Sequence, residues 1–366
     1  MVRKVRVFTH IPSPYQVELF DAVARSGRVA LDVCYLYASN PSRLWQRPEI
    51  SHEHVFLNDD PRLYAEAERS CGGRDLVVFN YYQHSPLLKL IEGRERSGRA
   101  WCFWGERPGY RRLGRLGVAY RRWKFSALHR CNAPIWGMGK WAVEQYRREY
   151  GEGRLYCNVP YFSDLGRFKR NGEGCRDRAA RTFLYTGSLI YRKGVDHLAQ
   201  AFGRLAGEFP EVRLRVVGEG RLRKDLEKRL ARVGDRVEFA GFQRWEDLPR
   251  FYHSSDILCV PSRYDGWNLV VPEGLAAGLP VIGTDRTGAA LELITPGKNG
   301  WIVSSENADS LYQSMREGAS LTRDSLLEWS AAAEASVRGH SIADGVDRFH
   351  QAVDATLEAH AKSAKG

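Results

Sequence analysis

The stretch Asp265-Gly266-Trp267-Asn268-Leu269-Val270-Val271-Pro272-Glu273-Gly274-Leu275-Ala276-Ala277-Gly278-Leu279-Pro280-Val281-Ile282 decides how this chain is read. Two carboxylates, Asp265 and Glu273, stand eight positions apart, with a loop and then the start of a helix between them. The apolar run after Glu273 ends at Gly278, a residue suited to closing a helix, and Leu279-Pro280-Val281-Ile282 restarts as a strand. A helix start at the carboxyl edge of a sheet offers unpaired N–H groups and a positive dipole end to an anion. Glu273, in or beside that first turn, can accept two hydrogen bonds from a diol such as a ribose, and Asp265 can do the same for a sugar ring. Phosphate flanked by ribose and hexose is the outline of a nucleotide-sugar.

Working outward, strand-like and helix-like runs alternate through the whole chain. Strands are expected at Val5–Thr9, Leu31–Tyr37, Asp75–Phe79, Ala100–Trp104, Pro134–Trp136 and Leu155–Val159. A second set follows at Phe183–Gly187, Arg213–Gly218, Val237–Ala240, Ile257–Pro261, Pro280–Gly283 and Trp301–Val303. Helical segments such as Tyr15–Arg25, Ser85–Arg96 and Lys140–Tyr150 lie between them, which is the rhythm of open parallel sheets. Asn40 to Asp60, rich in Pro, His and charge, reads as an inserted loop. Ser163 to Arg181 has the Gly-rich, charged composition of a linker. The expected organisation is therefore a first Rossmann-like domain over 1–165, a linker over 166–180, a second over 181–340, and a final helix over 341–366. Two doubly wound α/β domains joined in this way place a ligand cleft between their facing strand ends.

The acid pair resembles the acid–seven residues–acid signature of retaining glycosyltransferases of family 4, which have the GT-B fold. That family more often has Glu where this chain has Asp265. The resemblance extends through Phe183-Leu184-Tyr185-Thr186-Gly187-Ser188-Leu189-Ile190-Tyr191-Arg192-Lys193-Gly194-Val195-Asp196, Leu214–Gly220, Val237–Phe242, Thr287–Ile294 and Gly297–Trp301. It implies a GT-B enzyme whose final helix returns to the first domain. It also implies that Lys193 contacts the donor diphosphate. Ser188 stands where the family usually has an Arg, and Arg192 either supplies that second charge or points to solvent. Gly218 and Glu219 form either a nucleotide-contacting turn or an ordinary glycine turn. Gly266, Trp267, Asn268 and Leu269 supply main-chain N–H groups, with Trp267 alternatively plain packing, and Tyr264 either stacks on a base or packs. The first domain takes the acceptor, with His84 and Glu106 as its catalytic candidates, against a capping or surface role for His84.

The implied function is retaining transfer of a sugar from a UDP- or GDP-linked donor to a hydroxyl of a saccharide or lipid-linked saccharide, in bacterial cell-surface polysaccharide biosynthesis. No cofactor or metal is expected: no cluster of metal-ligating residues is visible, and Lys193 with a helix start can neutralise a diphosphate. A GT-B hydrolase or phosphorylase of sugar nucleotides is the alternative. A dinucleotide-dependent oxidoreductase is disfavoured because no G-x-G-x-x-G follows the first strand. Seven scattered cysteines without a CxxC fit a reducing cytoplasm.

The 366-residue chain carries a net charge of +11, unevenly placed. Residues 1–180 hold 31 Lys and Arg against 19 Asp and Glu. A nucleic-acid partner is not expected, since no zinc, helix-turn-helix or RNA-binding motif accompanies the charge. The excess peaks at 111–130, where Leu113, Leu116, Tyr120, Trp123 and Ala127 recur at helical spacing among Arg111, Arg112, Arg115, Arg121, Arg122 and Lys124. This is either a domain helix with its stripe in the core and a solvated basic rim, or a helix that docks on an anionic membrane surface. The second alternative would make the protein peripheral at the inner face of the cytoplasmic membrane.

Overall fold

The computed structural model describes residues 2–40, 47–108, 114–170 and 181–363. They form two units: 1–164 with 342–366, and 165–341.

The first unit is built on seven parallel strands: β1 (Arg3–Thr9), β2 (Val29–Tyr35), β3 (Glu53–Phe56), β4 (Leu76–Phe79), β5 (Trp101–Gly105), β6 (Ile135–Gly137) and β7 (Tyr156–Asn158). Their order is β3-β2-β1-β4-β5-β6-β7. Helices cover both faces of such a sheet, so its strands are apolar almost throughout: Val5, Val7 and Phe8 of β1 are fully buried, as are all four residues of β4. Arg6 interrupts β1 because it is paired across the register with Asp32 of β2, which Arg74 also holds at 2.8 Å. The last helix, Ile342–Ser363, belongs to this unit. Phe349 and Val353 join the core around Trp104 and Trp136, and the Trp136 indole donates to Thr356 Oγ1 at 3.0 Å.

The second unit has six parallel strands: β8 (Thr182–Thr186), β9 (Arg213–Val217), β10 (Val237–Gly241), β11 (Ile257–Val260), β12 (Val281–Thr284) and β13 (Gly300–Val303). Their order is β10-β9-β8-β11-β12-β13. In each sheet the strand order reverses beside the first strand, and at that switch the loops leaving neighbouring strands diverge to leave a crevice.

Three expectations need correction. Asn40 to Asp60 is not simply a loop. Glu53–Phe56 pairs parallel with β2, and a helix spans Pro61–Cys71; residues 41–46 lie outside the described set. The strand is hidden in the sequence because its start is written in histidines: His52 is buried beneath Tyr35 and bonded to Asp21 at 2.6 Å. The expected linker begins too early, since Leu165–Phe168 is a helical turn whose Phe168 packs edge-on against Tyr252 of the second unit. Finally, of the two readings left open for the basic run, burial of the apolar stripe holds for Ala127, which is in the core, but not for its middle. Helix Gly114–Lys124 leaves Leu116, Tyr120 and Trp123 exposed at 74, 55 and 73%. Arg111, Arg112 and Leu113 lie outside the described residues.

Candidate functional site

The residues singled out in the second half converge at the carboxyl ends of β8 and β11. After β8 the chain turns at Gly187, passes Ser188, which is exposed, and makes one helical turn over Tyr191–Lys193 before helix Val195–Glu208. Gly194 makes this possible: its φ is +68°, and a Cβ there would lie 1.9 Å from the Pro261 carbonyl oxygen. That close approach seats the Lys193 turn directly on the loop leaving β11. The seating is reinforced by Arg263, whose N–H donates to the Arg192 carbonyl at 2.9 Å. The Arg263 guanidinium, itself buried, donates to the Tyr191 carbonyl at 2.7 Å and forks onto Asp196 at 2.6 and 2.7 Å. Burial raises the pKa of the Asp196 carboxyl, but the Arg263 hydrogen bonds and charge outweigh it and hold it below the ordinary value.

Lys193 Nζ donates to Asp265 Oδ2 at 2.5 Å, and Arg192 reaches the same oxygen at 3.2 Å while donating to the Tyr264 carbonyl at 2.9 Å. Two cations thus share one carboxylate, and the trio keeps a positive excess. Asp265 is held by its own main chain, which pairs with Arg286 and Gly288. Past it, the N–H groups of Gly266, Trp267, Asn268 and Leu269 have no hydrogen-bond acceptor among the described residues. Asn268 adopts φ +78°, a left-handed conformation uncommon outside glycine, and its side chain accepts from the Val270 N–H at 3.3 Å. A turn with consecutive unpaired N–H groups beside two cations is suited to phosphate oxygens.

Helix Val270–Ala276 is only seven residues long, closed as expected by Gly278 at φ +66°. Glu273 is its fourth residue and 4% exposed. It is fixed by the Tyr252 hydroxyl, which donates at 2.8 Å and lies 3.0 Å from Thr186 Oγ1 of β8. Gly274 allows the helix to press on β11, where a Cβ would meet Leu258 at 2.3 Å. A carboxylate accepts up to about four hydrogen bonds, and the Tyr252 hydroxyl supplies one of them.

Two side chains with open readings are buried. The Trp267 side chain is fully buried and stacks on His340 at 5.7 Å, so it packs, and only its main chain can face a ligand. Tyr264 is 8% exposed. Gly218, at φ +135°, touches Gly187, where a Cβ would lie 1.9 Å from the carbonyl oxygen, whereas the Glu219 side chain is taken up by Arg223 at 2.8 Å. Tyr252, Thr186 and the Arg263–Asp196 fork escaped sequence reading. Thr186 ends β8 and Arg263 follows β11, whereas Tyr252, in helix Leu248–His253, carries no such signal.

His84 and Glu106 belong to the first unit. His84 is partly buried, stacked on Tyr64 at 5.7 Å, and burial lowers its pKa, favouring the neutral ring. Glu106 is exposed and bonded to Tyr161. A polar network of Thr9, Gln16 and Asn80 lies at the same strand edge, with Asn80 accepting from both at 2.8 and 3.1 Å. No group of three or more His, Cys, Asp or Glu suited to a metal occurs among the described residues.

Residues 180–319 match the family model described as Glycosyl transferases group 1. Over 283 residues the chain is 30% identical to a GDP-mannose-dependent alpha-(1-6)-phosphatidylinositol monomannoside mannosyltransferase of Mycolicibacterium smegmatis, covering 72% of each protein. The chain belongs to the group 1 glycosyl transferases. An uncharacterized glycosyltransferase of Haemophilus influenzae is 32% identical over 136 residues, 37% of this chain. That match, like others to curated group 1 relatives, spans little more than a third of the relative's length, 38% here. The fold is GT-B: the crystal structure of Anabaena HepE in complex with UDP superposes with a TM-score of 0.77 at 17% identity, covering 97% of this chain and all of that one. A sucrose-phosphate synthase of Thermosynechococcus elongatus superposes with a TM-score of 0.76 at 18% identity, covering 98% of this chain and 100% of its own.

Proposed function

We propose that this chain is a retaining glycosyltransferase that moves a hexose from a UDP- or GDP-linked donor to a hydroxyl of a saccharide or lipid-linked saccharide, in cell-surface polysaccharide assembly on the cytoplasmic side of the membrane. The convergence of Lys193 and Arg192 beside a run of unpaired main-chain N–H groups carries this reading. In it the diphosphate lies against Lys193, Arg192 and the Gly266–Leu269 turn, Glu273 accepts from the ribose hydroxyls, and Asp265 holds the sugar. The UDP of the Anabaena structure and the GDP-mannose of the mycobacterial relative support the donor class. The phosphatidylinositol mannoside in that relative's name supports a lipid-linked acceptor.

The bond from the anomeric carbon to the diphosphate oxygen breaks, and its electron pair stays on that oxygen, where Lys193 and Arg192 neutralise it. The acceptor oxygen bonds the anomeric carbon from the same face, and its proton passes to the departing phosphate oxygen. The two cations do the work a divalent ion does elsewhere, so the reaction needs no metal. On the acceptor side, neutral His84 or Glu106 orients the hydroxyl. Calorimetry with UDP and GDP tests the donor site. Lys193→Ala and Glu273→Ala should each weaken binding by about 1.5–3 kcal/mol, roughly ten- to 150-fold, with the fold intact. If both variants bind like wild type, the site lies elsewhere. Inversion at the anomeric carbon of the product would overturn the retaining step.

A further inference from the structure

Helix Gly114–Lys124 has its polarity reversed relative to an ordinary domain helix. Leu116, Ala119, Tyr120 and Trp123, spaced three and four apart, form one exposed face, with the Tyr120 and Trp123 rings 6.1 Å apart. The side turned inward carries Gly117 and a charge. Arg121 forks onto the Glu149 carboxylate at 2.7–3.2 Å, and that carboxylate is 1% exposed. The chain that follows is anchored: Phe125 is buried and stacks on Tyr82 at 4.8 Å. The helix is therefore held in place while its apolar face has no cover among the described residues.

Charge identifies what covers it. Arg122 is exposed and Lys124 half-exposed beside Trp123, and no acidic residue occurs anywhere between Glu106 and Glu144. A second copy of this face would oppose like charge to like. Nucleic acid would match the charge but not the exposed Leu116. We infer that this helix is a docking element for an anionic lipid bilayer: Leu116, Tyr120 and Trp123 enter the interfacial layer, and Arg122 and Lys124 meet lipid phosphates. Tyr and Trp suit that depth because each joins an apolar ring to a polar tip. At eleven residues the helix is too short to span a bilayer, so attachment by this face is peripheral. The inference deepens the proposed lipid-linked acceptor, because docking here would bring the enzyme to it, but it rests on the surface alone.

The test is flotation of the purified full chain with vesicles of phosphatidylcholine alone or with phosphatidylglycerol. Binding is expected only with phosphatidylglycerol and should fade as salt rises from 0.1 M to 1 M and the Debye length falls from about 10 to about 3 Å. Arg122→Gln with Lys124→Gln should weaken partition about fivefold per residue. Leu116→Ser, Tyr120→Ser and Trp123→Ser together should weaken it about a hundredfold or more. Calorimetric affinity for UDP or GDP should be unchanged in both variants, which separates this outcome from failure of the donor site. Equal binding to neutral vesicles, no binding to acidic ones at low salt, a Trp123-dependent dimer on sedimentation, or tighter retention of single-stranded RNA than of vesicles would each overturn the inference.

Discussion

Asp265→Asn is the most informative single change, because on the proposed reading binding and transfer respond in opposite directions. Asp265 Oδ2 receives Lys193 at 2.5 Å and Arg192 at 3.2 Å, so an arriving diphosphate competes with this carboxylate for the same two cations. A hydrogen bond to a charged group is worth about 1.5–3 kcal/mol, and one between neutral partners about 0.5–1.5. Asparagine keeps the shape and an acceptor oxygen but loses the negative charge; Lys193 and Arg192 stay ionised, so the bonds remain charge-assisted and what is lost is the ion-pair attraction, roughly 1–1.5 kcal/mol. Nucleoside diphosphate should then bind about five- to twelvefold more tightly. The same substitution removes the charged acceptor for the sugar, so kcat/KM for transfer should fall roughly ten- to 150-fold. Calorimetry with the nucleoside diphosphate and initial rates with the intact donor read the two effects separately. Tenfold weaker diphosphate binding would make Asp265 a nucleotide ligand instead. An unchanged transfer rate would remove its sugar role.

Tyr252→Phe deletes the hydroxyl between Thr186 and Glu273 without leaving a cavity. It should cost about 1–2 kcal/mol of stability by urea denaturation and weaken nucleoside diphosphate binding up to about tenfold through a loosened Glu273. Loss of stability with unchanged binding would mean that Glu273 does not depend on it. Asp196→Asn breaks the fork to Arg263, and pH separates its effect from general damage. Because the folded pKa is lowered, the pair's contribution is fully present above the unfolded value of about 3.9 and is lost as pH falls through the folded one. The stability gap between wild type and variant should therefore be widest at neutral pH and close below pH 4. A gap that persists in acid would show packing rather than charge to be responsible.

The donor half of this protein is legible in sequence because its determinants are local. A strand, a glycine and a cation occur within a dozen residues from Thr182 to Lys193, and each glycine names a close approach: Gly194 against Pro261, Gly218 against Gly187. Asp265 and Glu273 could be placed on a loop and a helix from spacing alone. What could not be read was the partner each would find. The Lys193–Asp265 pair joins positions 72 residues apart, and Tyr252 reaches Glu273 from the helix before β11, with no local pattern to mark it. The buried histidine that introduces β3 failed for a related reason. His52 looks polar until Asp21 and Tyr35 are seen to satisfy both ring nitrogens.

Helix Gly114–Lys124 shows a different limit. Periodicity correctly grouped Leu116, Tyr120 and Trp123 on one face, because side chains three and four apart must share one. It carries no information on whether that face meets core or water. Apolar area favours the core by about 25 cal/mol per Å² removed from water, so an apolar stripe is ordinarily taken to be buried. Here the opposite side is already committed. Arg121 fits against Glu149, whose carboxylate is almost fully enclosed, and turning the helix to bury Trp123 would expose Arg121 and strand that carboxylate in the interior without its partner. Leaving one member of a buried ion pair alone costs about 3–5 kcal/mol. That is comparable to the about 1.5–3 kcal/mol gained by burying one large apolar side chain, before Arg122 and Lys124 are carried inward with it. The ion pair, not the stripe, therefore sets the rotation of the helix, and the outward apolar face follows from a carboxylate 28 positions away in the chain.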